Sequence, residues 1–182
     1  MRIIGGSLKG RNILPPAGYK ARPTTDFAKE GLFNTLVNEF DFDGIAVLDL
    51  FGGTGSISFE FISRGCRDAV CVEMAPANAS FISRTASSIG VEGLKVVHSN
   101  VFDFLNICTR DFDIVFADPP YALEGLETIP DKVLSKGLVR PEGYFILEHP
   151  AGFSFADHGC FVKERKYGNV HFSYFRPCMK ND

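Results

Sequence analysis

The chain has 182 residues, 45% of them hydrophobic, and a formal net charge of −3. This length fits one domain, and the sequence has neither an apolar run of roughly 20 residues nor a signal-peptide core, which predicts a cytoplasmic protein with no membrane partner. The five cysteines are scattered without a C-x-x-C pair, and the four histidines have no metal-ligand spacing. We therefore expect reduced, mostly buried thiols, no disulfide framework and no bound metal.

The N-terminal part is basic and broken by glycines. Residues 2–14 predict a short β-hairpin, residues 15–23 a loop, and Thr24 or Thr25 can cap a helix that runs to about residue 39. The first 30 residues hold six basic and two acidic residues, a net charge of +4 on a protein that is acidic overall. Residues 161–182 carry five basic and two acidic residues, a further +3, so a polyanion contact is expected at the two ends. The alternative is ordinary solvated charge, which the pI of about 5.8 slightly favours.

The remainder alternates between predicted strands and helices. Strands regularly separated by helices imply an α/β fold with a mostly parallel, doubly wound sheet. Two final β segments with no helix between them add an antiparallel hairpin. The predicted strands are 45–50, 69–73, 94–97, 112–117, 143–148, 160–165 and 170–176, and the predicted helices are 55–64, 76–89, 101–107 and 124–136.

A glycine-rich turn follows the first predicted strand and opens a helix. Its G-G-T-G spacing and the carboxylate of Asp49 disfavour a pyrophosphate but suit the cationic ligand S-adenosylmethionine. Glu73 ends the second strand, where an acid can accept hydrogen bonds from a ribose diol, unless it is simply a charged strand end. Asn100 can bind an adenine edge or cap the next helix. The candidate cofactor-binding residues are Asp49, Phe51, Gly52, Gly53, Thr54, Gly55, Glu73, Asn100, Val101 and Asp118.

The motif Asp118-Pro119-Pro120-Tyr121 closes the fourth predicted strand. Two prolines in a row prevent both a helix and continued strand pairing, so the chain must turn there. A carboxylate and a free backbone carbonyl are acceptors suited to an NH2 group, and the tyrosine ring can stack on a flat heterocycle. The motif therefore predicts catalysis on the exocyclic amine of a nucleobase, with a plain strand-capping turn as the alternative.

With these motifs in this order the chain resembles class I methyltransferases. More narrowly, it resembles the RsmD family of bacterial guanine-N2 methyltransferases that act on small-subunit (16S) ribosomal RNA. Two of the matching stretches are particular to that family, and the glycine turn and D-P-P-Y are shared by many methyltransferases. The four stretches are Arg2-Ile3-Ile4-Gly5-Gly6 with Gly10-Arg11, Arg22-Pro23-Thr24-Thr25-Asp26 with Glu30 and Leu32-Phe33-Asn34, Asp49 to Gly55, and Asp118 to Tyr121.

The resemblance implies a Rossmann-like, seven-stranded methyltransferase domain at 24–182 and an N-terminal β-hairpin extension at 1–23 that contacts RNA. It also implies that the substrate is an assembled or assembling small subunit, and we expect a monomer. The chain departs from the family at Phe27 and Lys29, where arginine is frequent, and at Gly52, where alanine or serine is usual. The candidate RNA-binding residues are Arg2, Lys9, Arg11, Arg22, Thr24, Thr25 and Lys29.

The function expected from this resemblance is transfer of a methyl group from S-adenosylmethionine to N2 of one guanine. The D-P-P-Y acceptors fit any exocyclic amine, so adenine N6 and cytosine N4 remain alternatives that only the N-terminal stretches disfavour. A cofactor-binding RNA module without catalysis is the third possibility, although the carboxylates of Asp49, Glu73 and Asp118 are all present.

Overall fold

The computed structural model describes residues 1–15 and 24–178. Helices and strands alternate along most of the chain, and short 3-10 turns at Phe42–Gly44 and Leu126–Thr128 precede β1 and α5. The helices are α1 Asp26–Leu36, α2 Ser56–Ser63, α3 Pro76–Ser88, α4 Val101–Ile107 and α5 Ile129–Leu134, and the strands are β1 Ala46–Asp49, β2 Asp68–Glu73, β3 Leu94–His98, β4 Phe112–Ala117, β5 Val139–Pro150, β6 Phe161–Tyr167 and β7 Val170–Phe175.

The seven strands form one sheet in the order β3-β2-β1-β4-β5-β7-β6. The first five are parallel to one another, and β7 pairs antiparallel with both β5 and β6. This confirms the predicted mostly parallel sheet with an antiparallel C-terminal hairpin. It also places β7 inside the sheet and β6 at its edge. Alternating side chains of the central strands point to opposite faces, and each face has its own apolar core.

Helix α1 covers one face of the sheet and is continuous through Gly31. A Cβ atom at that glycine would overlap the ring of Tyr167 on β6, so the close contact between helix and strand requires the missing side chain. Phe27 is 67% exposed and packs edge-on against the same tyrosine, with 5.6 Å between ring centroids. The glycine that interrupts the helical pattern in sequence is therefore explained by packing between α1 and β6.

The N-terminal segment is less regular than the predicted hairpin. Its only antiparallel bridge in the described residues pairs Arg2 with Asn12, supported by hydrogen bonds from the Ile3 amide to the Arg11 carbonyl (3.0 Å) and from the Gly10 amide to the Ile3 carbonyl (2.8 Å). The segment is also bonded to α2, because the Ile4 amide donates to Glu60 Oε1 at 2.5 Å.

The expectation of reduced cysteines is wrong for one pair. Cys160 and Cys178 form a disulfide with 5.2 Å between their Cα atoms. Cys160 precedes β6 and Cys178 follows β7, so the antiparallel pairing of these strands brings two distant cysteines together, which spacing in sequence does not reveal. Cys66, Cys71 and Cys108 are free thiols. In the described parts of the chain, every helix is too short or too polar to cross a membrane.

Candidate functional site

The candidate site lies at the edge of the sheet where the parallel strands β1, β4 and β5 end. Asp49 is in register with Phe116, and Ala117 with Leu147. Asp118 directly follows Ala117, and Glu148 directly follows Leu147. The two acids therefore lie side by side, one just after β4 and the other on β5. In an open α/β sheet, this edge is where ligands bind.

The glycine turn between β1 and α2 is tightly folded. The Gly52 amide donates to the Val72 carbonyl at 2.9 Å, and the Gly55 amide donates to the Gly52 carbonyl at 2.6 Å. Gly53 and Gly55 have φ angles of 56° and 77°, which side chains other than glycine adopt at a cost. The hydroxyl of Thr54, which is buried, donates to the Met1 thioether sulfur at 3.2 Å. The turn therefore presents its backbone closely to a ligand, and the N-terminal segment packs beside it.

Asp49 is buried at the base of this turn. Ser58 Oγ donates to its Oδ2 at 2.7 Å, whereas Oδ1 has no hydrogen-bond partner in the structure. Burial raises the pKa of this carboxyl to about 6, against the effect of the Ser58 hydrogen bond. A buried acceptor without a partner at a glycine turn fits a ligand that brings hydrogen-bond donors and positive charge.

Glu73, at the end of β2, connects the glycine turn to α3. Its Oε2 accepts from the Gly53 amide at 2.7 Å, and its Oε1 accepts from the Ala75 amide at 2.7 Å. Asn100 caps α4, since its Oδ1 accepts from the Phe102 amide at 2.8 Å. The sequence predicts that Asn100 either binds an adenine edge or caps the next helix, and the structure shows the helix cap. The ribose and adenine contacts of Glu73, Asn100 and Val101 remain predictions.

The D-P-P-Y motif turns away from the sheet directly after β4. The Tyr121 side chain is 44% exposed, and its hydroxyl donates to Glu148 Oε1 at 3.2 Å. Thr24 Oγ1 donates to the other oxygen of the same carboxylate at 2.9 Å. Burial, reinforced by the neighbouring charges of Glu148 and Asp49, holds the pKa of Asp118 well above its usual range. The buried carboxyl of Glu148, the partly buried carboxyl of Asp118 and a partly exposed aromatic ring are thus close together.

Sequence reasoning did not identify Glu148. Glu148 ends a predicted strand, and the ends of parallel strands meet at the sheet edge where Asp118 lies. This position could have identified Glu148 from the sequence. Burial raises the pKa of Glu148, and the hydrogen bonds from Thr24 and Tyr121 oppose that rise. The site therefore contains an acid that the motifs do not include.

Known proteins resemble this chain over most of its length. The family model described as "Conserved hypothetical protein 95" matches residues 1–176. The chain is 32% identical to "Ribosomal RNA small subunit methyltransferase D" of Escherichia coli K12 over 148 residues, which cover 81% of this chain and 74% of that protein. The chain belongs to this methyltransferase D family.

Solved structures agree with the assignment to the methyltransferase D family. "Putative methyltransferase yhhF" from Escherichia coli has a TM-score of 0.83 at 30% identity, covering 98% of this chain and 99% of its own. At 15% identity, "A putative sam-dependent methyltransferase from Streptococcus mutans" has a TM-score of 0.64 and covers 81% of this chain and 48% of its own. The second likeness shows the fold alone, which is that of the class I methyltransferases.

In this member of the methyltransferase D family, the expected RNA-binding residues differ in exposure. Lys9 and Arg11 are exposed, and Arg2 is exposed but forms an ion pair with Asp26 at 2.8 Å. Thr24 is buried against Glu148, and Thr25 is the N-cap of α1, accepting from the Ala28 amide at 3.2 Å. Arg22 lies outside the described residues.

The prediction that Lys29 contacts RNA conflicts with its position. Lys29 is 1% exposed, and its ammonium donates to the Arg2 carbonyl at 2.5 Å and lies 3.5 Å from Glu60 Oε1. An ammonium surrounded in this way does not reach a phosphate. Lys29 instead holds the N-terminal segment against α1 and α2.

Three potential metal ligands that the sequence does not place together come from separate strands. Ligand atoms of His149, Glu164 and His171 lie within 4.8 Å of one another. The protein already supplies their contacts: His149 Nε2 is 2.8 Å from Ser173 Oγ, and His171 Nδ1 is 3.1 Å from Glu164 Oε1. Burial lowers the pKa of His149 and thus disfavours the charged form of the ring. We assign no metal to this cluster.

Proposed function

We propose that this chain transfers a methyl group from S-adenosylmethionine to the exocyclic N2 amine of a guanine in small-subunit ribosomal RNA. The observation that carries the proposal is the position of Asp118 directly after β4, next to β1 and to the buried Asp49, whose Oδ1 has no hydrogen-bond partner in the structure. Family membership supports ribosomal RNA as the substrate class. The choice of guanine N2 as the methylated atom is supported by the family resemblance of the N-terminal stretches of the sequence.

The bound cofactor supplies a methyl group already activated on a sulfonium. Asp49 would hold the positively charged end of this ligand, Glu73 its ribose, and the backbone of the glycine turn would contact it closely. Phe51, Val101 and Asn100 would surround the adenine. The residues of the chain then have to position the amine and to exclude water. For such a transfer, positioning and the exclusion of water are the main sources of rate enhancement.

Asp118 and the Pro119 carbonyl would accept hydrogen bonds from the NH2 group of the base. These bonds localise the nitrogen lone pair toward the methyl carbon, and the base stacks on the Tyr121 ring after leaving the RNA helix. When the nitrogen–carbon bond forms, the carbon–sulfur bond breaks with its electron pair remaining on sulfur, and the nitrogen loses a proton. The raised pKa of Asp118 makes its carboxylate a stronger acceptor for that proton than an ordinary aspartate.

The basic N-terminal extension, residues 1–23, would contact the RNA backbone. Lys9 and Arg11 are exposed and available to phosphates, and Arg2 and Arg22 belong to the same basic stretch. Thr24 and Thr25 would act by fixing the start of α1 next to this stretch. We further propose that the enzyme acts as a monomer on an assembled or assembling particle, and that it needs no metal.

The test is methyl transfer from tritiated S-adenosylmethionine to small subunits from a strain deleted for this gene, followed by nucleoside mass spectrometry. We expect N2-methylguanosine at a single site, activity that survives a chelator, and a loss of at least about 100-fold in kcat for Asp118→Asn. The Asp157→Asn variant, which changes an exposed acid, is the matched control.

Other outcomes of the same experiment separate the alternatives. Label on adenine N6 or cytosine N4 would keep the chemistry and refute the guanine assignment. Binding of the cofactor without any transfer to RNA would indicate a non-catalytic module.

A further inference from the structure

Glu148 joins two parts of the candidate site that are far apart in sequence. Its side chain is buried, 3% exposed, at the end of β5. One carboxylate oxygen accepts from the Tyr121 hydroxyl at 3.2 Å and the other from the Thr24 hydroxyl at 2.9 Å. Tyr121 belongs to the turn after β4, and Thr24 directly follows the basic N-terminal extension. A single carboxylate thus connects the proposed stacking ring to the start of α1.

The two contacts differ from incidental packing. Burying a carboxylate is unfavourable unless its oxygens are hydrogen-bonded, and both oxygens of Glu148 have a hydroxyl donor. Breaking either contact leaves a buried acceptor unpaired, so the carboxylate resists movement of both donors. The ring of Tyr121 is thereby held by its hydroxyl, while the residue remains 44% exposed.

Glu148 also lies beside Asp118. The groups that face Asp118 from the neighbouring strands are Glu148 on β5 and Asp49 at the end of β1, and both are acids. A like charge next to a carboxylate favours its protonated form. Because Glu148 has two hydroxyl donors, it is the member of the pair that ionises more readily, and its charge makes Asp118 hold a proton more tightly.

We propose that Glu148 is a positioning residue of the methyl transfer: it fixes the Tyr121 ring and the start of α1 relative to each other, and its charge tunes the proton acceptor Asp118. This inference rests on the proposed function. Positioning of Tyr121 and α1 predicts that substitution of Glu148 changes kcat rather than cofactor affinity, since Glu148 does not belong to the glycine turn. The effect of its charge on Asp118 predicts a change in the pH dependence of kcat.

The first measurement compares the kinetics of Glu148→Gln, Tyr121→Phe and the double variant. Glu148→Gln should lower kcat by about 10- to 100-fold, because a small misplacement of the reacting groups is enough for such a loss, with unchanged affinity for S-adenosylhomocysteine. Tyr121→Phe keeps the ring and removes only the donor. If both residues act through one contact, the double variant should be no slower than Glu148→Gln, whereas independent roles would give multiplied losses and overturn the positioning role.

The second measurement is the ionisation of Asp118, followed by carboxyl 13C shifts of the labelled protein without substrate and by the pH profile of kcat. Removing the charge of Glu148 should lower the Asp118 pKa and move the rising limb of the profile to lower pH. A residue that only stabilises the fold would leave both unchanged.

The control is Glu39→Gln, which removes another carboxylate that accepts from a tyrosine, here from the hydroxyl of Tyr144 on β5 at 2.7 Å. It should change neither kcat nor the Asp118 titration. Wild-type protein that transfers no methyl group, yet shows the shifted titration in Glu148→Gln, would refute the proposed function alone. Active wild-type protein with an active, unshifted Glu148→Gln variant would refute this inference alone.

Discussion

Asp49 is buried, so the negative charge of its carboxylate destabilises the folded chain. Its pKa is raised by burial from 3.8 to about 6, so the folded state binds this proton more tightly than the unfolded chain does. The stability associated with the protonated carboxyl is fully present below about pH 4 and is lost as the pH rises through about 6. At neutral pH the unliganded protein therefore retains a charged acid that a cationic ligand can compensate.

We predict that Asp49→Asn is more stable than wild type but binds cofactor poorly. A shift of this size corresponds to about 3 kcal/mol, of which the amide should recover a part, because it keeps the shape and removes the charge. Urea unfolding should show a gain at pH 8 that disappears below about pH 4, while calorimetry shows weakened S-adenosylhomocysteine binding. A gain that is equal at both pH values would contradict the electrostatic explanation.

The location of a single residue could be predicted from sequence where it depends only on that residue's own position along a strand. Asp49 and Glu73 are the last residues of their strands and Asp118 directly follows one, and the parallel sheet gathers such positions at one edge. Lys29 and Glu148 were misassigned or missed because their partners lie far away in sequence: Glu60 for the lysine and Thr24 for the glutamate. Pattern reasoning identifies positions, but it does not reveal which charges become buried together.

At the scale of elements, the glycine turn packs closely against β2. A Cβ atom on Gly52 would overlap Cys71 Sγ, and Cys71 is fully buried in the core cluster that includes Phe59 and Ile82. The resemblance implies alanine or serine at this place in related proteins. The structure explains glycine here by the bulk of the neighbouring thiol.

We predict that Gly52→Ala destabilises the protein by about 1–3 kcal/mol and that Cys71→Ala relieves most of this loss. The two substitutions should therefore show a coupling of at least about 1 kcal/mol in a double-mutant cycle of urea unfolding. Purely additive losses would mean that the thiol does not limit the space at this turn.

A second contact between elements attaches the N-terminal segment. Lys29 and Glu60 are both buried and paired, and they also bond the backbone at Arg2 and Ile4. Removing one member of a buried ion pair leaves the other uncompensated, at a cost of about 3–5 kcal/mol, although Arg64 at 3.4 Å from Glu60 should reduce it.

We predict that Lys29→Met lowers the free energy of unfolding by about 3 kcal/mol and accelerates hydrogen exchange at the amides of Ile3 and Ile4. Arg2→Ala, which removes an exposed ion pair, is the control and should cost less than about 1 kcal/mol. Equal effects of the two variants would argue that Lys29 is not the anchor of the segment.

The elements themselves were predicted well from periodicity. The prediction for β4 matches the structure residue for residue, and the closing hairpin is confirmed at Phe161–Tyr167 and Val170–Phe175. The predicted helix at 124–136 is shorter, at Ile129–Leu134, because a 3-10 turn occupies its start. The disulfide between Cys160 and Cys178 could not be predicted, since it depends on the pairing of two strands.

At the scale of the whole molecule, the charge is distributed unevenly. The net charge is −3, yet the first 30 residues carry +4, and two of their basic side chains, Lys9 and Arg11, are exposed. A protein that is acidic overall would be repelled from RNA except through such a region, so this end should direct the approach to the substrate.

We predict that the double variant Lys9→Ala/Arg11→Ala binds the small subunit more weakly at low salt and depends less on salt. Each lost phosphate contact should reduce the slope of log affinity against log salt by about 0.7–0.9. Filter binding over a salt series measures this slope. A double variant at Lys132 and Lys136, on and after α5, removes the same charge elsewhere and should leave the slope nearly unchanged.

The position of β7 between β5 and β6 has a consequence for biosynthesis. The strand that pairs with the outer side of β5 is the last of the seven to be made, so until residue 175 leaves the ribosome the segment 145–150 lacks its second partner. This nascent edge contains Phe145, Ile146 and Leu147 in a row, a sequence prone to pair with other chains. Newly made copies should therefore depend on rapid completion, or on a chaperone, until the final strand is inserted.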